Sequence, residues 1–262
     1  MTLQTMQWHE SVTLRYSKDD FRRKSLMRLA RRYVVGKRVL DMRCLTGHLA
    51  VDLAVDGFQV TGLDGYAEAV EMTNELARRR GIATPIAQLW DLNGLVARVG
   101  ANQFDTVLCL DILNHVPDDR ATMPEIARVL APGGRLILMV PAGPRMLGLR
   151  DQSLGHLRRY TKQSIRELLE RNGLTVESIR FWNFAALPVY FLVEKVLRRR
   201  MSDGLRYGRG KVVGSLPNRL LGWWYAGVEN LLLFPCGLSF FIIARRAAPG
   251  EAQDGRHESR AR

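Results

Sequence analysis

From Lys37 to Val140 the chain repeats one unit: a short apolar run, a turn, and a stretch with helical spacing. Few architectures accept that alternation. It implies parallel strands joined by crossover helices, and therefore an α/β fold with an open sheet. Strands are predicted at RVLDM (38–42), FQVTGLD (58–64), PIAQL (85–89), FDTVLCL (104–110) and RLILMV (135–140). Helices are predicted near 48–56, 66–80 and 119–130. Gly57 and Gly81 end the first two, because glycine accepts the left-handed conformation that closes a helix. Thr161 caps a further helix that runs to Asn172 and Gly173. Two more strands follow, LTVESIRFWN (174–183) and GLSFFIIARR (237–246), suited to antiparallel pairing with each other.

With 262 residues, 47% of them hydrophobic, the chain has apolar mass for one such domain and an elaboration, which excludes a disordered or fibrous protein. Residues 1–36 read as a leader containing a basic amphipathic helix, FRRKSLMRLARRY, in which Phe21, Leu26, Leu29 and Tyr33 share one face. The main domain is expected over 37–246 and a disordered tail over 247–262. Within the domain, 184–236 is too long for a hairpin loop and is expected to form a helical insert. The insert is both apolar and cationic, with eight basic residues against three acidic. Over the whole chain the formal net charge is +13, so anionic partners are favoured. Cys44, Cys109 and Cys236 lack CxxC spacing, which supports neither a disulfide framework nor a zinc ribbon. A cytoplasmic location fits these cysteines and the polar N-terminus, which has no apolar run of signal-peptide type.

In an open parallel sheet, ligands bind beyond the carboxyl ends of the strands. The first strand ends at Asp41 and leads into MRCLTG, without the G-x-G-x-x-G that a pyrophosphate needs. An acid there disfavours phosphate and suits a ligand with an amino group. Asp64, ending the second strand, is placed to accept both hydroxyls of a ribose. Asp91 and Leu92 follow the third strand and suit an adenine, one taking an amino proton and the other covering the ring. Cys109, Asp111, Leu113, Asn114 and His115 surround the end of the fourth. The set describes a pocket for an adenosine that bears an amino acid.

At this point the sequence resembles the class I S-adenosylmethionine (SAM) dependent methyltransferases, especially the small-molecule and lipid-modifying kind related to ubiquinone-biosynthesis enzymes. The matching segments are KRVLDMRCLTGHLA, VTGLDGYAEAV, FDTVLCLDILNHVPDD and RVLAPGGRLILMVP, in order, and the likeness covers about residues 37–183. The resemblance implies a Rossmann-like seven-stranded sheet, mostly parallel with an antiparallel last strand supplied by GLSFFIIARR, and SAM as cofactor. It implies cofactor contacts from Asp41, Arg43, Gly47, Asp64, Asp91, Leu92 and Asp111. It also implies an acceptor-facing cluster in GHLRRYTKQSIRELLERNGL, with His156 and Tyr160 as catalytic candidates beside His115. The implied reaction is transfer of the sulfonium methyl to an oxygen, with nitrogen or carbon as lesser choices, and no metal.

The first motif departs from the family pattern, acid-x-Gly-x-Gly-x-Gly, by placing Arg43 and Leu45 at two glycine positions and keeping only Gly47. Two consequences stay open. Arg43 reaches the SAM carboxylate, or the two side chains fill the site and the chain is a non-catalytic scaffold or partner-binding protein. His115 is open in the same way, either a general base for a substrate hydroxyl or a structural histidine beneath the pocket. Asn114 stands where related enzymes often carry glutamate. No nucleic-acid partner is expected. The residues after the fourth strand, AspIleLeuAsn, lack the proline pair of base-methylating enzymes, and Pro235-Cys236 precedes the last strand rather than following the fourth. The insert, FAALPVYFLVEKVLRRR from Phe184 onward, suits a lipid-facing lid at an anionic membrane surface, a roof over the active site, or a dimer contact. A small hydrophobic or lipid-linked acceptor follows from the first of these.

Overall fold

The computed structural model describes residues 21–83, 85–91, 93–197, 220 and 222–248. Seven strands form one sheet in the order β3-β2-β1-β4-β5-β7-β6. They are β1 (Arg38–Asp41), β2 (Gln59–Asp64), β3 (Ala87–Leu89), β4 (Phe104–Leu110), β5 (Leu130–Pro141), β6 (Leu174–Trp182) and β7 (Ser239–Arg246). The first five run parallel, and β7 lies antiparallel between β5 and β6. The helices are α1 (Phe21–Arg31), α2 (His48–Val55), α3 (Ala67–Arg79), α4 (Leu95–Val99), α5 (Asp119–Val129), α6 (Leu149–Leu154), α7 (Lys162–Glu170) and α8 (Leu187–Tyr190).

Alternation along the central strands builds a core on each face. In β5, Leu136, Leu138 and Val140 face one cluster while Ile137 and Met139 face the other, and in β7 Phe240 and Ile242 oppose Phe241 and Ile243 in the same way. Each such side chain removed from water stabilises the fold by about 1.5–3 kcal/mol. At the exposed edge, α3 clamps β3 through Asn74, whose Oδ1 accepts the backbone N–H groups of Ile86 and Ala87, both at 2.9 Å. That clamp fixes where the chain leaves β3 towards Asp91.

The seven strands match the predicted runs to within two residues at each end, except at the start of β5. β5 begins at Leu130 rather than Arg135, because Leu130 pairs with Phe104 before a register shift carries the Ala131-Pro132-Gly133-Gly134 bend. Helices α4 and α6 are not expected from the sequence, being too short to show an amphipathic period.

Two parts of the chain distant in sequence meet at the root of the insert. Ser25 Oγ of α1 donates to the carbonyl of Tyr225 at 2.6 Å, and Asn230 Nδ2 donates to the carbonyl of Ser25 at 2.9 Å. Asn230 Oδ1 accepts the Trp182 indole N–H at 3.2 Å. Glu229 is fully buried, and its Oε1 accepts the Phe184 N–H at 2.8 Å. The insert leaves the sheet through α8, continues as a π-helical stretch over Phe191–Val196, and returns through a second over Trp224–Glu229. Its arginines at 198–200, 206, 209 and 219, with Lys211 and Asp203, lie outside the described residues, as do 1–20 of the leader, the tail from 249 and Leu92. Among the described residues, no helix is long and apolar enough to cross a membrane.

Candidate active site

The carboxyl ends of β1, β2 and β4 lie side by side, because Asp41 pairs with Gly62 of β2 and with Leu108 of β4. Asp41 and Asp64 are therefore brought to one crevice, both buried. Asp64 Oδ2 accepts the Leu45 N–H at 2.9 Å and Oδ1 accepts the Tyr66 N–H at 3.1 Å. Each carboxylate oxygen keeps a further acceptor position, as a ribose diol requires. Burial pushes the Asp64 carboxyl up, against the opposing pull of the Arg43 charge and of these backbone donors.

The turn from β1 to α2 keeps a glycine-type path despite its side chains. Leu45 takes φ 51, in the left-handed region that costs a non-glycine residue about 1–2 kcal/mol. Gly47 has φ 73, and a Cβ added there would stand 2.8 Å from the Thr73 Cα in α3. Arg43 extends across the crevice, and its Nη1 donates to the carbonyl of Asp111 at 2.8 Å. Asp111 itself holds φ 56. Asp91 is exposed beyond β3, its Oδ1 accepting the Asn93 N–H at 3.2 Å.

On the far side of β4 the two histidines come together. His115 and His156 meet edge to face with ring centroids 4.9 Å apart. His115 is buried and its Nδ1 has no partner. Desolvation, with the Arg43 charge and His156 adding to it, holds its pKa well below the usual imidazole range, so the ring is neutral. His156 Nδ1 lies 2.9 Å from Asp151 Oδ1, and Asp151 Oδ2 accepts Arg159 Nε at 3.0 Å. A fully buried carboxylate thus orients the imidazole, and an arginine holds the carboxylate. With Nδ1 donating to Asp151, Nε2 becomes an acceptor for a proton.

The remaining members of the GHLRRY segment turn elsewhere. Tyr160 is buried, and its hydroxyl donates to Asp119 Oδ2 at 2.7 Å, so it fastens the loop after β4. Arg158 joins it there, Nη1 donating to the Val116 carbonyl at 2.8 Å. Asp151 has no counterpart among the residues expected from the sequence. Its signal is an acid five places before a histidine in a segment opening at Gly148, whose N–H donates to Asp151 Oδ2 at 3.0 Å. Cys44 and Cys109 are buried and their thiols are pushed up by desolvation, so neither serves as a nucleophile.

A family model described as a methyltransferase domain matches residues 15–179. The chain belongs to this methyltransferase family. S-adenosylmethionine is the cofactor that goes with it, and the buried acids and the glycine-type turn of the crevice fit that molecule. The ubiquinone biosynthesis O-methyltransferase of Vibrio cholerae is 36% identical over 101 residues, 38% of this chain and 40% of the relative. The chain thus spans about 40% of the length of the curated relatives it matches. In fold, it is similar to a geranyl diphosphate methyltransferase solved with GPP and sinefungin, with a TM-score of 0.59, 14% identity, and coverage of 86% of this chain and 78% of that one. The [4+2]-cyclase SpnF is similar at a TM-score of 0.55 and 20% identity, over 87% of this chain and 81% of that one.

Proposed function

We propose that this methyltransferase-family protein transfers the methyl group of SAM to an oxygen of a small hydrophobic or lipid-linked acceptor. The His156 and Asp151 pair carries the reading. An acceptor hydroxyl must lose its proton as the new bond forms, and an imidazole oriented by a buried carboxylate is a base suited to take it. When bound, SAM supplies an electrophilic methyl on a sulfonium, and alignment of the acceptor supplies most of the acceleration. Asp64 would hold the ribose hydroxyls, Asp41 would face the amino group, Gly47 lets the turn pack against Thr73 of α3, and Asp91 would lie beside the adenine. His156 accepts the acceptor proton at Nε2. His115 packs against the His156 ring as a positioning residue, and Tyr160 holds the loop after β4 that carries both Asp111 and His115. The likeness to an O-methyltransferase of ubiquinone biosynthesis supports oxygen as the acceptor atom.

Lipid linkage of the acceptor is supported by the insert. Phe191, Trp223 and Leu233 are 60%, 68% and 79% exposed, large apolar side chains that an anionic membrane surface would cover. This reading makes the protein a cytoplasmic enzyme that visits the membrane peripherally.

The test is methyl transfer from labelled SAM to a phenol with a prenyl tail and to its untailed parent. The tailed phenol should be the better acceptor, and His156→Ala should lower kcat by about 10²–10⁴ while SAM binding is unchanged. Equal rates for His156→Ala and the parent protein would remove the base from the reading. One observation favours a second reading, a non-catalytic scaffold: the Arg43 guanidinium lies across the crevice to the Asp111 carbonyl. Absence of saturable SAM binding would select it.

A further inference from the structure

The insert reaches the acceptor side of the active site through Tyr190, the last residue of α8. Its side chain is buried and meets the supports of the His156 and Asp151 pair at two places. The ring lies against the Arg159 guanidinium, with 5.4 Å from Cζ to the ring centroid. The hydroxyl donates to the Met146 carbonyl, in the turn that leads into α6 and so to Asp151. Burial pushes the pKa of that hydroxyl up to about 12, so it stays a donor. One turn further along the insert, Glu194 Oε2 accepts the Arg150 N–H at 3.4 Å, and a Cβ added at Gly148 would stand 3.1 Å from the same oxygen. Arg159 is itself a buried cation held by three contacts. Nε donates to Asp151 Oδ2 and Nη1 to the Ala142 carbonyl, both at 3.0 Å, while the Tyr190 ring covers the guanidinium. A guanidinium taken out of water needs such partners, and the attraction of an aromatic face grows as water is excluded. Without the ring the cation is free to tilt away from the carboxylate. Asp151 then loses the restraint on Oδ2, and His156 loses a fixed acceptor for its Nδ1 proton.

We infer that Tyr190 is a positioning residue for the base, through which the insert holds Arg159, Asp151 and His156 in the arrangement that leaves His156 Nε2 bare. The insert thereby takes a share in the chemistry that is separate from any contact with lipid. This role deepens the reading that His156 takes the acceptor proton and rests on it for its effect on rate, whereas its effect on the imidazole is measurable without turnover.

Nitrogen NMR of isotopically labelled histidine, at a pH where the ring is neutral and with signals assigned through His156→Gln, reads the His156 tautomer. The parent protein should show one tautomer, protonated at Nδ1 and bare at Nε2. Tyr190→Met, which fills the space without a ring face, should show both tautomers. It should also lower kcat for the prenyl-tailed phenol by about 10- to 100-fold, with KM and SAM binding unchanged. Tyr190→Phe keeps the face and should keep the single tautomer. Once His156→Ala is in place, Tyr190→Met should lower kcat no further. A parent protein that already mixes tautomers, or a Tyr190→Met variant that does not, overturns the inference. So does an equal loss of kcat with and without His156, the mark of a merely structural role. Should Tyr190→Met not fold, fluorinated phenylalanines in place of Tyr190 keep the shape and drain the ring face of negative charge. Relative to Tyr190→Phe, the second tautomer should then grow and kcat fall stepwise with fluorine number, to about tenfold in all. Indifference to fluorine overturns the inference. Methyl transfer by neither the parent protein nor any variant would remove the base reading and leave the tautomers to decide the positioning role.

Discussion

Gly47 has no room for a side chain. Its Cβ would meet the Thr73 backbone at 2.8 Å, and its φ of 73 adds strain for any other residue. Gly47→Ala should therefore cost about 2–5 kcal/mol, the left-handed penalty plus overpacking against α3, read as a lower urea midpoint. A midpoint within error of the parent protein's would show that α3 yields freely. Leu45 holds the same kind of backbone at φ 51, where its N–H donates to Asp64 Oδ2 at 2.9 Å. Asp41 and Asp64 were legible in the sequence because each ends an apolar run at a strand's carboxyl end. Asp151 was not, since an acid in the first turn of a short helix, even five places before a histidine, reads like a solvated one until the fold buries it against Arg159. His156 and Arg158 looked alike as acceptor-facing candidates, yet only the histidine joins the dyad, and the arginine spends its donors on the carbonyls of Val116 and Pro117.

At the scale of elements, the strands could be read from their apolar runs and the insert could not. Its helices were expected, but their attachment depends on contacts such as Ser25 to Tyr225, which no local pattern encodes. Glu229 and Asn230 interrupt an apolar stretch in sequence. In the fold they are the anchors, one taking backbone N–H groups at the start of the insert and the other joining α1 to β6. Arg180 completes the joint by donating to the carbonyls of Asn230 and Leu232 at 3.0 and 2.9 Å. Asn230→Ala removes the partner of a buried indole N–H and of the Ser25 carbonyl, at a cost of about 2–3 kcal/mol. Amide hydrogen exchange should show α1 losing protection more than β4 or β5 does. Protection in α1 equal to that of the parent protein would mean that apolar packing, through Leu29 and Ala30, holds the helix without the polar joint.

For the molecule as a whole, the sheet order explains why residues from separate segments converge. Placing β1 between β2 and β4 brings Asp41, Asp64 and Asp111 to one edge, and the long return from β5 through α6 brings Asp151 and His156 to the other side of β4. The proposed cofactor acids and the proposed acceptor base thus lie near the end of β4, where Arg43 reaches the Asp111 carbonyl. The formal net charge of +13 favours anionic partners, as the proposed acceptor at an acidic membrane would require. All of this depends on the crevice receiving the adenosyl group. Equilibrium dialysis of labelled SAM against the parent protein and Asp64→Asn is the most direct test. Saturable binding in the micromolar range that weakens at least about tenfold in the variant is the predicted result, and binding that is absent, or indifferent to residue 64, would contradict it.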